Sequence, residues 1–446
     1  MGERIWKVAI VGGGFSGAML AARLAERDVA SVLIDRSGAF GPGLAYSTPT
    51  DEHILNVRAN RMSAVEGRPD DFVRWLEAHH PDRADPEGFA PRRLYGRYLM
   101  ERLAQVEAAY PGRIERVTGE AAVIEDTMVR LSDGRIAEAD AVVLATGNPA
   151  PRTTGADHAG RVLSDPWAAG ALDRIGDDDD VIIVGSGLTM VDMVLGLEAR
   201  GWRGRAVAVS RRGLRPRAHG DAHDAPVKPT PELTGGRLSA RLAEARRLAT
   251  TRGWRSVMEG LRPITADLWC EADDAVRARF LRHLRPWWDV HRHRISPRVA
   301  SRLDALEGDG RLEIVAGRVG PVDTSAVGLA LNWTPRGGRR APPLASAWLI
   351  DCSGPGHDPA ADPLFGPLIR SGRARLDAAG LGLDLDAEGR VIGAGGGTDE
   401  RLSVLGPPAR AAFWETVAVP DIRKRIEALV ERLAIQPPGV QTMASR

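Results

Sequence analysis

Two rhythms of apolar positions organise this 446-residue chain. Val8-Ala9-Ile10-Val11 is a short unbroken apolar run, rich in β-branched side chains. Such a run predicts a strand buried on both faces, as in a parallel sheet. A glycine cluster, Gly12-Gly13-Gly14-Phe15-Ser16-Gly17, follows at once. Ala18, Ala21, Leu24 and Ala25 then recur at helical spacing, and Val32-Leu33-Ile34 predicts a second strand closed by Asp35. The same order returns later. Val181-Ile182-Ile183-Val184 leads into Gly185-Ser186-Gly187-Leu188-Thr189-Met190-Val191-Asp192, and Ala206-Val207-Ala208-Val209 predicts the strand after it. The two repeats predict an α/β chain with two Rossmann-like dinucleotide-binding domains.

Residues 214–300 interrupt the second repeat with helical patterns, such as Val276, Phe280, Leu281 and Leu284. They also hold Trp254, Trp269, Trp287 and Trp288. This helical insertion either builds a lid or substrate wall, or only packs and joins two copies into a homodimer. Strands are expected at 312–316, 327–333 and 347–351, a helix from Ile422 to Leu433, and a loose tail at 436–446.

Each part of the first repeat has a physical task. Gly12 permits the tight turn from strand to helix, Gly14 admits a pyrophosphate to the backbone, and Gly17 lets helix and strand pack closely. The helix start, at Phe15 and Ser16, offers free N–H groups and a positive dipole to phosphate. Asp35 can accept hydrogen bonds from ribose hydroxyls. In the second repeat Gly185, Gly187, Leu188 and Thr189 form the turn, and Met190 stands at the third glycine position. Ser210 replaces the ribose-binding acid, and Arg211 and Arg212 follow it. Arginines there would pair with a 2′-phosphate, so the expected coenzyme is NADP(H). Two such units in one chain point to a held flavin and a visiting nicotinamide, although the glycine motif alone does not choose FAD over NAD.

Composition narrows the classes. The formal net charge is +1, which argues for neither nucleic acid nor an anionic membrane. No run of about 18 apolar residues predicts a membrane span. The start of the chain enters a strand without a signal-peptide pattern, and the two cysteines, Cys270 and Cys352, lie far apart. Both features fit the cytoplasm, and no Cys-x(2–4)-Cys redox pair or metal-ligand spacing occurs. Gly185-Ser186-Gly187 belongs to the nucleotide turn, so no hydrolase elbow is present.

Leu144-Ala145-Thr146-Gly147 and Asp351-Cys352-Ser353-Gly354-Pro355 resemble the exit and return elements of two-dinucleotide-binding-domain flavoproteins. Gly41-Pro42-Gly43-Leu44-Ala45-Tyr46, His53-Ile54-Leu55-Asn56-Val57, Arg285–Arg294 and Trp414–Pro420 resemble the bacterial FAD/NAD(P)-binding protein family. A more distant resemblance is to class B flavin monooxygenases, including N-hydroxylases. Their Phe-x-Gly-x3-His-x3-Trp/Tyr fingerprint corresponds here to His158–Trp167, which keeps Gly160 and Trp167. His158 and Ser164 replace the Phe and His, and the last spacer is one residue shorter.

The resemblance implies FAD on Gly12, Gly14, Phe15, Ser16, Gly17, Asp35 and Arg36. It adds Gly43, Tyr46, Asn56, Thr146 and Gly147, and places the backbone of Ala122 near the adenine. Gly354 follows the return strand. Gly406 and Pro407 would meet the pyrimidine end of the flavin, where a helix starting near Arg410 would favour negative charge. Asn56, Asp289 and His291 are the catalytic candidates, with His293 beside them. The FAD-binding domain is expected at 1–168 and 345–446, and the NADP-binding domain at 169–344. The implied function is an FAD-dependent, NADPH-using monooxygenase that takes O2 and a small soluble substrate. The alternatives are a flavin reductase or dehydrogenase without oxygen insertion, and a flavin-binding redox sensor or scaffold.

Overall fold

The computed structural model describes residues 6–149, 160–221, 224–325, 328–354 and 358–435. It is an α/β structure built on two sheets. In the first, Trp6–Val11 lies between Ser31–Asp35 and Ile136–Leu144, parallel to both. Alternate residues of this strand face different cores. Val8 and Ile10 enter one cluster, whereas Trp6, Ala9 and Val11 enter another. That two-sided burial explains the unbroken apolar run. Ile114–Thr118 extends one edge, and Thr398–Val404 joins the other by pairing in parallel with Ile136–Leu144. The chain therefore returns to its first sheet after passing through the second.

The second sheet runs in the order Leu344–Ser346, Gly328–Pro335, Leu312–Ser325, Ala206–Ser210, Val181–Val184, Trp348–Asp351, Val162–Leu163. Trp348–Asp351 and Val162–Leu163 hydrogen-bond within it, so this sheet begins before residue 169 and ends after residue 344. The expected domain boundaries at 168/169 and 344/345 both fall within the span of this sheet. Between Ala206–Ser210 and the helix Pro297–Gly308, a run of helices extends from Pro231 to Arg292. Helix Val419–Ile435 covers the first sheet against helix Phe15–Ala25, clamped by the Arg23 guanidinium on both oxygens of Glu427 at 2.7 and 3.0 Å. The expectations for His158, Pro355 and the 436–446 tail lie outside the described residues.

The two glycine turns share one steric device. A Cβ on Gly12 would stand 2.2 Å from the carbonyl oxygen of Ala145, and one on Gly185 would stand 2.2 Å from that of Cys352. Both residues have positive φ, +110° and +107°. Each opening glycine thus lets the exit strand of its own domain pass at backbone contact. The third position differs. A Cβ on Gly17 would lie 1.9 Å from the Gly12 oxygen, whereas the matching position of the second turn carries Met190, fully buried.

Candidate dinucleotide site

One cavity of about 710 Å³ receives elements of both sheets. Its volume falls within the range of about 300–1,000 Å³ typical of ligand pockets. Gly12, Asp35, Arg36, Thr146 and Gly147 line it from the first domain, and Arg211 and Ser353 from the second. Pro407, Arg410 and Arg285 close the far end.

Asp35 is held ready by local donors. The Gly13 N–H donates to its Oδ2 at 2.7 Å, and the Ser37 N–H to its Oδ1 at 2.8 Å. Strand Ser31–Asp35 delivers the acid to the cavity edge beside the glycine turn. Helix Phe15–Ala25 begins at Gly14 with no side-chain cap, so its first-turn N–H groups remain open to an anion. Dipolar donors, an acid and a continuous cavity together fit an adenine dinucleotide.

Several expected ligands stand behind this wall instead of lining it. Phe15 is buried, and its ring lies 6.3 Å from that of Tyr95. Tyr46 packs edge-on against Tyr95 at 4.7 Å, and burial pushes its phenol up to about 12. Gly43 sits directly on Gly14, Ser16 is buried against Gly406, and Gly17 packs under the turn. Beside Asp35 the wall takes Gly119, Glu120 and Ala121, while Ala122 is not among its lining residues. The loop Pro359–Phe365 and residues 379–382 complete the wall. Both segments lack apolar periodicity, and no sequence signal marked them.

The second turn uses hydroxyls where the first uses an acid. Ser186 Oγ donates to the Leu214 carbonyl and accepts from Ser210 Oγ at 2.7 Å, and the Gly213 N–H donates to Ser210 Oγ at 3.1 Å. Ser210 is thereby committed to holding the turn. Helix Leu188–Ala199 starts on Gly187 without a side-chain cap, with Thr189 in its first turn. Gly354, at φ +108°, follows the exit strand. The two arginines diverge. Arg211 lines the large cavity, whereas the Arg212 guanidinium lies 6.0 Å from the Trp287 ring centroid. The expected pair is therefore one arginine at the cavity and one stacked elsewhere.

The three catalytic candidates do not meet. The Asn56 carbonyl accepts from His219 Nε2 at 3.0 Å, in the seam between the domains. Asp289 pairs with Arg285 at 3.5 Å. His291 donates through Nδ1 to the Trp287 carbonyl at 2.7 Å and lies edge-on to Trp254. Burial lowers its pKa, and it faces a separate apolar cavity within the helical run. None of the three lines the dinucleotide cavity. The expected helix does start at Arg410, but it spans only Arg410–Phe413, because Trp414 turns to φ +47° and stacks on Trp269 at 4.7 Å. One turn has little dipole to offer. The positive group at this place is Arg410 itself, which lies over Trp414 at 4.4 Å and whose buried Nε has no partner among the described residues.

The seam between the domains is polar and ordered. Arg92 Nη1 meets Asp192 Oδ2 at 2.8 Å. His53 donates through Nε2 to the Asp192 carbonyl at 2.9 Å and accepts from the Thr48 hydroxyl at 2.6 Å, so its ring is held neutral, as burial also favours. Burial pushes His219 down to about 4. An unfolded imidazole titrates near ~6.5. Above that pH neither state binds the proton and the contribution of His219 is complete. As pH falls from ~6.5 towards 4, the unfolded chain protonates first and stability is lost, by on the order of 2–3 kcal/mol. His219→Gln keeps a donor for Asn56 and is expected to flatten this part of the profile. Urea unfolding across that pH window reads the difference, and an unchanged slope would refute it.

Fold and site together define a chain with two dinucleotide-binding units that open into one cavity. The comparisons agree with that class. Residues 9–149 match the family model described as FAD-NAD(P)-binding. No curated protein matches the sequence. Among solved structures, the reduced ornithine hydroxylase of Pseudomonas aeruginosa is similar at 17% identity and a TM-score of 0.63, over 97% of this chain and 99% of that one. The ornithine N-hydroxylase of Kutzneria sp. 744 gives 16% and 0.64, over 96% and 99%. The FAD-bound cadaverine monooxygenase of Erwinia amylovora gives 14% and 0.66, over 99% of both. At these identities the likeness is one of fold. Among the described residues, no helix is long and apolar enough to cross a membrane, and no group of three or more His, Cys, Asp or Glu could hold a metal ion.

Proposed function

We propose that the chain is an FAD-dependent, NADPH-using monooxygenase. The observation that carries the reading is the single cavity lined by Gly12 and Asp35 of one unit and by Arg211 and Ser353 of the other. A flavin and a nicotinamide held on those turns share one space, as electron transfer between them requires. The similar structures named as hydroxylases and monooxygenases support the oxygen-inserting branch. FAD would supply a two-electron store between NADPH and O2. The balanced sum is substrate, O2, NADPH and H⁺ giving oxygenated substrate, water and NADP⁺.

The chain's own groups have definite parts. Asp35 would accept from the ribose hydroxyls of FAD. The open N–H groups at Gly14 and after would hold its pyrophosphate. Arg410, beside Pro407, would place fixed positive charge against the electron-rich end of the reduced ring. Arg211 would meet the 2′-phosphate of NADPH.

A second reading, a flavin reductase without oxygen insertion, draws on the fingerprint, where Ser164 stands in place of the expected His. One experiment separates the two. The purified holoprotein is mixed with NADPH in air, and NADPH loss is compared with oxygenated product and hydrogen peroxide. Product matching NADPH supports oxygen insertion, and peroxide matching NADPH with every acceptor supports the reductase. A flavin that NADPH never bleaches defeats both. Arg211→Ala is expected to raise KM for NADPH by about tenfold or more and to leave NADH little changed, since a charge-assisted contact contributes about 1.5–3 kcal/mol. Equal losses with both coenzymes would remove the 2′-phosphate assignment.

A further inference from the structure

The helices between Pro231 and Arg292 enclose a second cavity, of about 520 Å³. Five of the chain's eleven tryptophans line it: Trp254, Trp269, Trp287, Trp288 and Trp414. That concentration of rigid aromatic surface is what an apolar ligand pocket requires. Among the described residues that line it there is no Asp or Glu, whereas Arg241, Arg246 and Arg277 are present. A cationic amine placed there would be desolvated without a counter-ion.

This cavity shares a wall with the dinucleotide cavity. In the π-helical turn Phe280–Leu284, Leu281 lines the dinucleotide side, while Phe280, His283 and Leu284 line the apolar side. Across from it, Arg410 faces the dinucleotide cavity and Trp414 the apolar one, with the guanidinium lying over the indole. Two further features mark this wall. A π-turn is rare and recurs at functional sites. Trp414 holds a positive φ, unusual for a bulky residue, and its buried indole N–H has no hydrogen-bond partner among the described residues.

We infer that this cavity is the substrate site of the flavin chemistry proposed above, and that its ligand is an apolar, ring- or chain-bearing compound with a neutral or anionic polar end, not a cationic diamine. The inference rests on that flavin reading for the word substrate, and the ligand class rests on the cavity alone.

The test uses the full-length holoprotein and two probes of equal shape, naphthoate and naphthylmethylammonium. Binding is followed by quenching of tryptophan emission and by calorimetry. Naphthoate is expected to bind with one-to-one stoichiometry, about tenfold or more tighter than the cation. Val257→Trp, which fills the cavity from a buried position, is expected to weaken naphthoate by at least about tenfold. Should that variant fail to fold, Ala249→Trp fills the same space from a half-buried helix position. The proposal is overturned if naphthoate shows no saturable binding to the wild type, if the cation binds as tightly, or if the filled, folded variant binds like the wild type. Bleaching of the wild-type flavin by NADPH is recorded in parallel. Its absence defeats the flavin reading, whereas the probe titration decides the ligand class.

Discussion

Gly17→Ala is expected to unfold the first nucleotide turn. Its Cβ would stand 1.9 Å from the Gly12 carbonyl oxygen and 3.1 Å from Ile10 Cγ2. Both neighbours belong to the central strand or its end, so neither can yield without moving the sheet. Overpacking in a core costs about 1–3 kcal/mol when side chains absorb it, and more when backbone must move. A loss of at least about 3 kcal/mol is therefore expected, with loss of the bound flavin. The glycines of the two turns provide an internal scale. A Cβ on Gly14 would meet Gly43, its Cα at 3.3 Å and its N at 3.9 Å, and one on Gly187 would meet nothing within 4 Å among the described residues. Gly187 also has an ordinary φ of −86°. Gly187→Ala is thus expected to fold like the wild type, with Gly14→Ala between the two. Melting temperature and visible flavin absorbance of the three purified variants read this order. A Gly17→Ala protein that keeps both would show that helix and strand can separate at little cost.

The same contrast shows what the sequence could reveal. Glycine turns were legible because they answer to backbone contacts within one strand-turn-helix unit, where spacing determines the encounter. Asp35 was legible for the same reason, since Gly13 reaches it across a single β-α-β step. The two-sided apolar strands were legible from composition alone. What depended on distant packing was not. Arg212 follows Arg211 by one residue, yet it turns away because Trp287 lies beside it. The helix expected near Arg410 stops after one turn because Trp414 is drawn onto Trp269, 145 positions earlier in the chain. His291 and Asp289 looked like acid–base groups, but their helix reaches the dinucleotide cavity only through Arg285, and His291 lines the apolar cavity of the insertion instead. The wall at 359–365 and 379–382 is a 3-10 turn, a helix start and loop, and pieces this short carry no period to read.

The remaining large effect concerns the seam that holds the two nucleotide units in register. Arg92 and Asp192 face each other through two contacts, at 2.8 and 3.2 Å, and the Arg92 Nε also donates to the Ile54 carbonyl at 3.3 Å. Asp192 is only 5% exposed, so its charge is tolerable only while Arg92 opposes it. Arg92→Met is expected to cost about 3–5 kcal/mol, the range for breaking one side of a buried ion pair. The neutral His53, already hydrogen-bonded to the Asp192 backbone, offers no replacement charge. The double variant Arg92→Met, Asp192→Leu removes both charges and is expected to recover most of that loss. Denaturant unfolding of the two single variants and the double variant closes this cycle. Recovery in stability without recovery of flavin reduction by NADPH would assign the pair to domain registry, because apolar side chains can fill the seam without fixing the angle between the units. Additive losses from the two substitutions would instead show that Arg92 and Asp192 act independently and that the seam is held elsewhere.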